Sequence, residues 1–288
     1  MEVAVRGYNT QLGRQLVVAL KENGYSIREI SVAKLKLPAD VLGHYLNGVD
    51  AIVDVDRVPY FSKWTSRYQY NIYASRLAAM RAISSAMKYV DKAPSFYLTL
   101  SNAMGYDSFE VHDDYSQLMD DDSFMAEMAE MELQEATRIQ RYVKNIRLSV
   151  FRIGFVMATD SPEFKVIRKA AKLGLAGIVD DGYQCLPIIH REDLIAAIMF
   201  VLKRPDCQGV FNVTIPEIAN MIELSKAVHK FVWRPQISLP KWVLRILMGR
   251  SVAMLEHNCK VIPVRLSSLG FTFKYPNIQE VINSILKK

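Results

Sequence analysis

The chain has 288 residues, of which 50% are apolar and 23% are charged, a balance that is ordinary for a folded globular protein. Its net charge of +6 comes from scattered basic residues without a zinc-finger, helix-turn-helix or RNA-binding signature, so we expect no nucleic-acid partner. No bilayer-length apolar segment, secretory leader or metal-site cysteine spacing is apparent, which predicts a cytoplasmic protein with no membrane partner and no bound metal.

The first 156 residues alternate between strand patterns and helix patterns. Apolar runs and alternating apolar residues predict strands over 2–6, 26–32, 51–55, 95–101 and 146–156. Helical spacing predicts helices over 12–23, 65–90 and 123–145. Farther on, helices are expected over 163–173 and 191–203, with a strand over 209–214 and helices thereafter. This alternation is typical of βαβ units and a parallel sheet, whose ligands bind at the carboxyl edge of the strands.

The fold class that follows is a Rossmann-like, doubly wound parallel α/β sheet with a smaller C-terminal α/β lobe. We predict a dinucleotide-binding core over 1–160 and a substrate lobe over 161–288 that contributes some elements back to the core. The densest basic group has a spacing of about three residues, and we interpret it as a solvated helix face. Its members are Arg138, Arg141, Lys144 and Arg147.

The turn after the first strand resembles a dinucleotide-binding turn that has lost one of its three glycines. Gly7 and Gly13 suit the tight turn and the close packing of helix on strand, whereas Thr10 stands where glycine would let a diphosphate approach. Thr10 could obstruct the diphosphate or offer it a hydroxyl, and a plain strand-to-helix corner is the alternative. The helix N-terminus would still present free N–H groups to an anion.

The end of the second strand bears on which cofactor would bind. An Asp or Glu at this point is typical of NAD enzymes, and the chain has none in Ser31-Val32-Ala33. Lys34 and Lys36 follow and could meet a 2′-phosphate, although both could equally be surface residues. The pattern therefore favours NADP over NAD.

Segments along nearly the whole chain resemble the atypical extended short-chain dehydrogenase/reductases. The resemblance is to the branch of sugar-nucleotide epimerases with a C-terminal domain of unknown function. It is carried, in this order, by LNGVDAIVDV (46–55), Lys63-Trp64-Thr65 with Ala74-Ser75-Arg76, LSVFRIGFVM (148–157), KLGLAGIVDDGYQCLPIIHREDL (172–194, with Gly174, Gly177, Gly182, Gln184, His190 and Asp193), ISLPKWVLRILMG (237–249) and PVRLSSLGFTFKYP (263–276). It implies a Rossmann-like fold, an NADP or NAD cofactor and a small-molecule substrate such as a nucleotide sugar.

The resemblance also implies where the cofactor would lie. The cofactor-binding residues would be Gly7, Asn9, Thr10, Gln11, Leu12, Gly13, Asp54, Val55 and Arg76. The chain departs from the family here. The family's fourth strand, which the predicted strand over 51–55 resembles, ends N-L-A-G, whereas in this chain it ends Asp54-Val55-Asp56-Arg57. We expect this change to add negative charge beside the cofactor.

The tyrosine and lysine pair that short-chain dehydrogenases use is absent from the sequence. None of the fourteen tyrosines has a lysine four residues later, although such a pair on one helix face would lower the pKa of the tyrosine. The catalytic candidates that remain are Ser101, Asn102 and Tyr106. The alternative is a structural role, with the Ser101 hydroxyl bonded to the backbone and the Tyr106 ring partly buried. Glu127, Glu130 and Glu132 could offer a base if desolvated, but we interpret them as solvated. His190 and Asp193 could form a charge pair or act structurally at a helix start.

Two functional hypotheses remain open on the sequence alone. One is an NAD(P)-dependent epimerase, dehydratase or reductase of the extended short-chain type. The other is a catalytically silent nucleotide-binding, sensor or interaction protein that keeps the fold, as the missing pair and altered turn suggest. Whether the protein is an enzyme is therefore undecided by the sequence.

Overall fold

A computed structural model describes residues 1–57, 65–119, 123–174, 181–231 and 256–287. Its strands are β1 (Glu2–Arg6), β2 (Ser26–Ile30), β3 (Ala51–Asp54), β4 (Phe96–Asn102), β5 (Val111–His112), β6 (Arg147–Ile153), β7 (Phe155–Met157), β8 (Ile188–His190), β9 (Gly209–Val213) and β10 (Lys260–Val261). Its α-helices are α1 (Gln11–Glu22), α2 (Val32–Leu35), α3 (Ala39–Leu46), α4 (Ser66–Ala86), α5 (Phe124–Thr137), α6 (Pro162–Lys172), α7 (Arg191–Lys203), α8 (Met221–His229), α9 (Val264–Ser268) and α10 (Ile278–Leu286).

The central sheet has six parallel strands in the order β2-β1-β3-β4-β6-β9. The register pairs Arg6 with both Ile30 and Asp54, so β1, β2 and β3 end together at one edge, and β4 continues three residues beyond the Thr99 that pairs with Asp54. The order reverses beside β1, as in Rossmann folds, and that reversal marks the usual ligand crevice. The predicted doubly wound parallel sheet is therefore confirmed.

Apolar side chains cover both faces of the sheet, as buried parallel strands require. On one face α1 and α7 pack through Leu16, Leu20 and Ile198. On the other face α3, α4 and α5 pack, and Met80 and Ile83 are buried there. A third cluster joins α6, α8 and α10 around Phe164 at the C-terminal side. Because β9 pairs with β6, the C-terminal part of the chain completes the main sheet.

Two element boundaries differ from the sequence prediction. The helix predicted over 123–145 ends at Thr137 and continues only as the 3-10 turn Arg138–Arg141, while Arg147 begins β6. The predicted solvated helix face over Arg138 to Arg147 is therefore wrong, because the regular spacing crosses a turn and enters a strand. The helix predicted over 65–90 also ends earlier, at Ala86.

The strand predicted over 146–156 breaks at Gly154. A Cβ at Gly154 would lie 2.2 Å from the carbonyl oxygen of Pro187, so the chain passes too close for any side chain. Beyond the break, β7 leaves the main sheet and pairs with β8. Several predicted features lie outside the described residues, namely Lys63, Trp64, the acidic run at 120–122, Gly177 and the segment 237–249.

Replacing Gly154 by alanine tests this close approach. We expect Gly154→Ala to lower the free energy of unfolding by about 1–3 kcal/mol, since the methyl group must displace backbone. Urea denaturation followed by circular dichroism measures the change. Val166→Ala, at a 40% exposed position on α6, is the control and should shift stability by at most about 0.5 kcal/mol. Equal midpoints for Gly154→Ala and the wild type would contradict the contact.

Candidate functional site

The turn between β1 and α1 depends on two glycines. Gly7 has φ of +79°, and a Cβ there would lie 2.6 Å from the backbone nitrogen of Asp56. A Cβ at Gly13 would lie 1.9 Å from the carbonyl oxygen of Gly7. The turn is thus packed tightly between the end of β3 and its own helix. The first and third glycines of a dinucleotide-binding turn serve this close packing.

Thr10 is the N-cap of α1, and its hydroxyl is engaged within the turn. The Oγ1 atom donates to the carbonyl oxygen of Gly7 (2.7 Å) and accepts from the backbone nitrogen of Gly13 (3.0 Å). The next N–H groups, at Gln11 and Leu12, have no acceptor within the helix because they lie in its first turn. They are the backbone donors that α1 can offer to an anion.

A cavity of about 180 Å³ lies at this helix end, and we call it the edge cavity. The N-terminal residues of three helices meet around it, and all three present the positive end of the helix dipole. Two arginines contribute to its wall. The lining residues are Thr10, Gln11, Leu12, Val55, Arg57, Val156, Ser161, Pro162 and Arg191.

The two arginines are held by acidic side chains. The guanidinium of Arg57 lies 2.6 Å from Glu163, which is fully buried at the start of α6. Arg191 forms an ion pair with Asp160. These pairs fix the guanidinium groups at the cavity, and planar guanidinium groups are well suited to phosphate oxygens. Arg191 and Ser161 were missed by sequence reasoning, since only the folded chain brings them to α1.

Beside the edge cavity, Asp54 is buried between two arginines. Its carboxylate accepts from Arg6 (2.8 Å) and Arg76 (3.1 Å). Burial alone would raise the pKa of Asp54, but the two guanidinium groups outweigh it and hold the pKa below its usual value. Arg6 also pairs with Asp56 at 2.6 Å. The added carboxylates do lie at this edge, and each has a cationic partner that compensates its charge.

Arg76 connects this cluster to the helices on the far side. Its Nε donates to Glu132 (2.8 Å), and its Nη2 donates to Thr99 (3.1 Å) and to the carbonyl oxygen of Leu100 (2.5 Å). Burial raises the pKa of Glu132, and Arg76 opposes that rise. Glu132 is 1% exposed, so interpreting it as solvated was wrong, whereas Glu127 and Glu130 are exposed as predicted.

The three catalytic candidates lie on or just after β4, but none of them lines the edge cavity. Ser101 is 6% exposed and lies beside Glu132. The amide of Asn102 donates to the carbonyl oxygen of Met125 and accepts from the nitrogen of Met104, each at 3.1 Å.

Tyr106 lies in a different environment from Ser101. Its hydroxyl donates to Asn212 (2.8 Å) and accepts from Arg152 (2.7 Å), and its ring stacks on His112. Burial raises the pKa of Tyr106 against the effect of Arg152. This hydroxyl therefore ties β6 to β9.

The cofactor-binding candidates separate into four groups. Thr10, Gln11, Leu12 and Val55 line the edge cavity, Gly7 and Gly13 shape the turn beneath it, and Asn9 is exposed on the turn. Asp54 and Arg76 belong to the buried ionic cluster instead.

The histidine and aspartate at the start of α7 are structural. His190 is the N-cap of α7, and Asp193 accepts from the backbone nitrogens of Lys274 and Tyr275.

Among the described residues, no group of three or more His, Cys, Asp or Glu side chains could hold a metal ion. No helix in that same part of the chain is long and apolar enough to cross a membrane.

Comparison with known proteins shows which proteins this chain resembles. A model named Domain of unknown function (DUF1731) matches residues 239–285. The Arabidopsis thaliana protein "Epimerase family protein SDR39U1 homolog, chloroplastic" is 26% identical over 310 aligned residues, covering 100% of this chain and 87% of that protein. Over its whole length the chain is similar to an epimerase family protein, as the atypical extended short-chain dehydrogenase/reductase resemblance predicts. A Staphylococcus epidermidis epimerase family protein is 25% identical, with 85% of this chain and 82% of that protein covered.

Solved structures show that the fold of this chain is shared with epimerases and related proteins. Human epimerase family protein SDR39U1 (isoform 2), crystallised with NADPH, has a TM-score of 0.85 at 23% identity, with both chains fully covered. A UDP-glucose 4-epimerase from Thermotoga maritima, crystallised with UDP-glucose, has a TM-score of 0.76 at 12% identity. Its match covers 100% of this chain and 98% of that one.

The buried ionic cluster yields a stability prediction. We expect Asp54→Asn to lower the free energy of unfolding by about 3–5 kcal/mol, because it removes the carboxylate that two buried guanidinium groups share and leaves each with a single acidic partner. Since the folded pKa of Asp54 is lowered, the difference from wild type should be complete above about pH 4 and shrink as the pH falls through the folded pKa.

Urea denaturation from neutral to acidic pH measures both effects. Asp206→Asn is the matched control, since Asp206 pairs with Arg204 at the exposed surface, and it should change stability little. A loss for Asp54→Asn no larger than that of the control would show that the cluster does not stabilise the fold.

Proposed function

We propose that the protein binds a dinucleotide cofactor, NADP(H) in preference to NAD(H), with its diphosphate in the edge cavity. The observation that carries this is the meeting of the α1 N-terminus with Arg57 and Arg191 around about 180 Å³ of space. By the volume that one buried water needs, this is room for roughly a dozen waters. That is suited to a diphosphate with parts of its two riboses.

The residues that would hold the diphosphate act through charge and through backbone donors. The N–H groups of Gln11 and Leu12 point along the axis of α1, and a diphosphate there would gain from the helix dipole. Arg57 and Arg191 would neutralise its charge from the opposite wall. The hydroxyl of Thr10 is already bonded to the backbone of Gly7 and Gly13. Thr10 would therefore narrow the space that the diphosphate must enter without adding a free hydrogen-bond donor.

The adenosine end would lie over the end of β2. The register pairs Arg6 with Ile30, which places Ser31 beside the glycine turn. Ser31 caps α2, and Lys34 lies 4.1 Å from the centre of the Tyr45 ring. A 2′-phosphate at this point would meet Lys34, which supports NADP(H). The NADPH in the crystal structure of the human relative supports the same choice.

We infer an NAD(P)-dependent epimerase, dehydratase or reductase acting on a small molecule, with a nucleotide sugar as the favoured substrate. The cofactor, once bound, would supply hydride transfer. The family's epimerase names and the UDP-glucose in the Thermotoga neighbour support this substrate class. Of Ser101, Asn102 and Tyr106, we favour Ser101 for proton exchange, because it lies beside the fully buried carboxylate of Glu132, whose pKa is raised. Within this proposal the protein acts in the cytoplasm.

A second candidate is a cofactor-binding protein without turnover. The observation that favours it is the ion pair between Arg76 and Glu132 on α5, the helix that lacks the usual tyrosine and lysine pair. Such a protein would bind NADPH and use the bound state as a signal to a partner.

Arg191→Gln tests the edge cavity directly. We expect it to weaken NADPH binding about tenfold, since one charged hydrogen-bond donor to the diphosphate is lost. Fluorescence titration of the full chain with NADPH measures the dissociation constant. Lys169→Gln, which removes one exposed positive charge from α6, is the charge-matched control and should leave affinity unchanged. Equal affinities for the two variants would rule out the diphosphate position.

Lys34→Ala tests the choice of cofactor. We expect weaker binding of NADPH with unchanged binding of NADH, because only NADPH carries the 2′-phosphate. Parallel titrations with both nucleotides measure this selectivity. Lys21→Ala, in the last turn of α1 and far from the glycine turn, is the control and should leave the binding of both nucleotides unchanged. A loss of the same size for both nucleotides would contradict the assignment of Lys34.

Turnover separates the two candidate functions. NADPH binding together with NADPH oxidation or epimerisation on a panel of nucleotide sugars supports the enzyme. Tight binding without turnover on that panel favours the silent protein. The absence of binding at millimolar NADPH and NADH would overturn both.

A further inference from the structure

A second cluster of arginines lies outside the edge cavity and shares no residue with it. The helix α4 and the 3-10 turn after α5 enclose a small pocket of about 40 Å³, which we call the arginine pocket. Two of the basic residues that sequence spacing grouped together contribute to its wall. Its lining residues are Arg81, Ser84, Ser85, Arg138, Arg141 and Tyr142.

The arginine pocket carries more positive charge than its carboxylate can neutralise. Glu135 is buried and pairs with Arg81 at 2.7 Å and with Arg138 at 3.0 Å. Arg141 forms no ion pair with any residue in the described ranges. Three guanidinium groups thus surround one carboxylate, which leaves an excess of two positive charges facing solvent.

Ser84 supplies an independent observation. Its side chain is 2% exposed, and its Oγ has no hydrogen-bond partner within the described part of the chain. Buried hydroxyl groups nearly always have such a partner. Because Ser84 also lines the arginine pocket, a ligand atom in the pocket would satisfy it. The unpaired hydroxyl therefore points to an acceptor that the described ranges do not provide.

We propose that the arginine pocket binds a phosphate group, as the free ion or as a phosphate monoester. The volume would hold about three waters, close to the size of one phosphate. Arg141 and Arg81 would donate to the phosphate oxygens, Ser84 would donate its hydroxyl, and Glu135 would hold Arg81 and Arg138 in place. This site stands independently of the cofactor proposal.

Calorimetric titration of the full chain with inorganic phosphate, at constant ionic strength set by sodium chloride, tests the proposal. We expect saturable binding that weakens about tenfold in Arg141→Gln and in Ser84→Ala. Lys88→Gln removes an exposed charge near the end of α4 and should leave binding unchanged. Arg191→Gln should also leave it unchanged, since Arg191 belongs to the edge cavity.

Stability without phosphate gives a second readout. We expect Ser84→Ala to raise the melting temperature of the phosphate-free protein, because it removes an unsatisfied buried hydroxyl. A lower melting temperature would mean that the hydroxyl already has a partner, which overturns the proposal.

Three other results would also overturn the proposal. The first is no saturable binding at millimolar phosphate. The second is binding that Arg191→Gln abolishes and Arg141→Gln leaves intact, since that phosphate would occupy the edge cavity. The third is a dimer in sedimentation that Arg141→Gln dissociates, since a second copy would then fill the pocket. Esters such as glucose 6-phosphate, titrated alongside, distinguish a monoester ligand from the free ion.

Discussion

The Asp54 carboxylate, held between Arg6 and Arg76, is the interaction on which the carboxyl edge of the sheet depends. An unpaired charge at a site of 0% exposure would cost several kcal/mol, so the carboxylate requires its two partners. Arg76 also binds the backbone of Leu100 and the side chain of Glu132. One carboxylate thereby links β1, β3 and β4 to α4 and α5. The position of the glycine turn also depends on this cluster, because Gly7 packs against the backbone of Asp56.

The residues that depart from the family pattern form one compensated set. Each charge introduced after β3 has a partner that is distant in sequence. Arg6 and Asp54 are 48 residues apart, and Arg6 and Asp56 are 50 apart. Arg57 pairs with Glu163 from α6. As a result, the carboxylates below the edge cavity are paired with guanidinium groups, and the Arg57 guanidinium lies in the cavity wall with Glu163 as its partner. The departure therefore changes how an anion would be held there, without opposing it.

The fold could be predicted because its signals are local. The apolar runs of β1, β3 and β4 and the spacing of Gly7 and Gly13 are visible in any short window. What failed depends on contacts between distant segments. The burial of Glu132 requires Arg76, and the break at Gly154 requires Pro187. Likewise, the crossovers of the chain bring Arg191 and Ser161 to α1, so the turn could be predicted but not the opposite wall of its cavity.

The ion pairs of Arg76 limit which side chains could transfer a proton beside the sheet edge. In typical members of the family, a lysine on this helix lowers the pKa of a tyrosine four residues before it. Here α5 offers the Glu132 carboxylate, and the nearby positive charge comes from Arg76 on α4, already bonded to Asp54 and Leu100. That guanidinium cannot approach a substrate without leaving Asp54 under-compensated. Within the proposed function, Ser101 beside Glu132 could exchange a proton without movement of the arginine. The same ionic cluster that fixes the sheet edge thus restricts the chemistry available beside it.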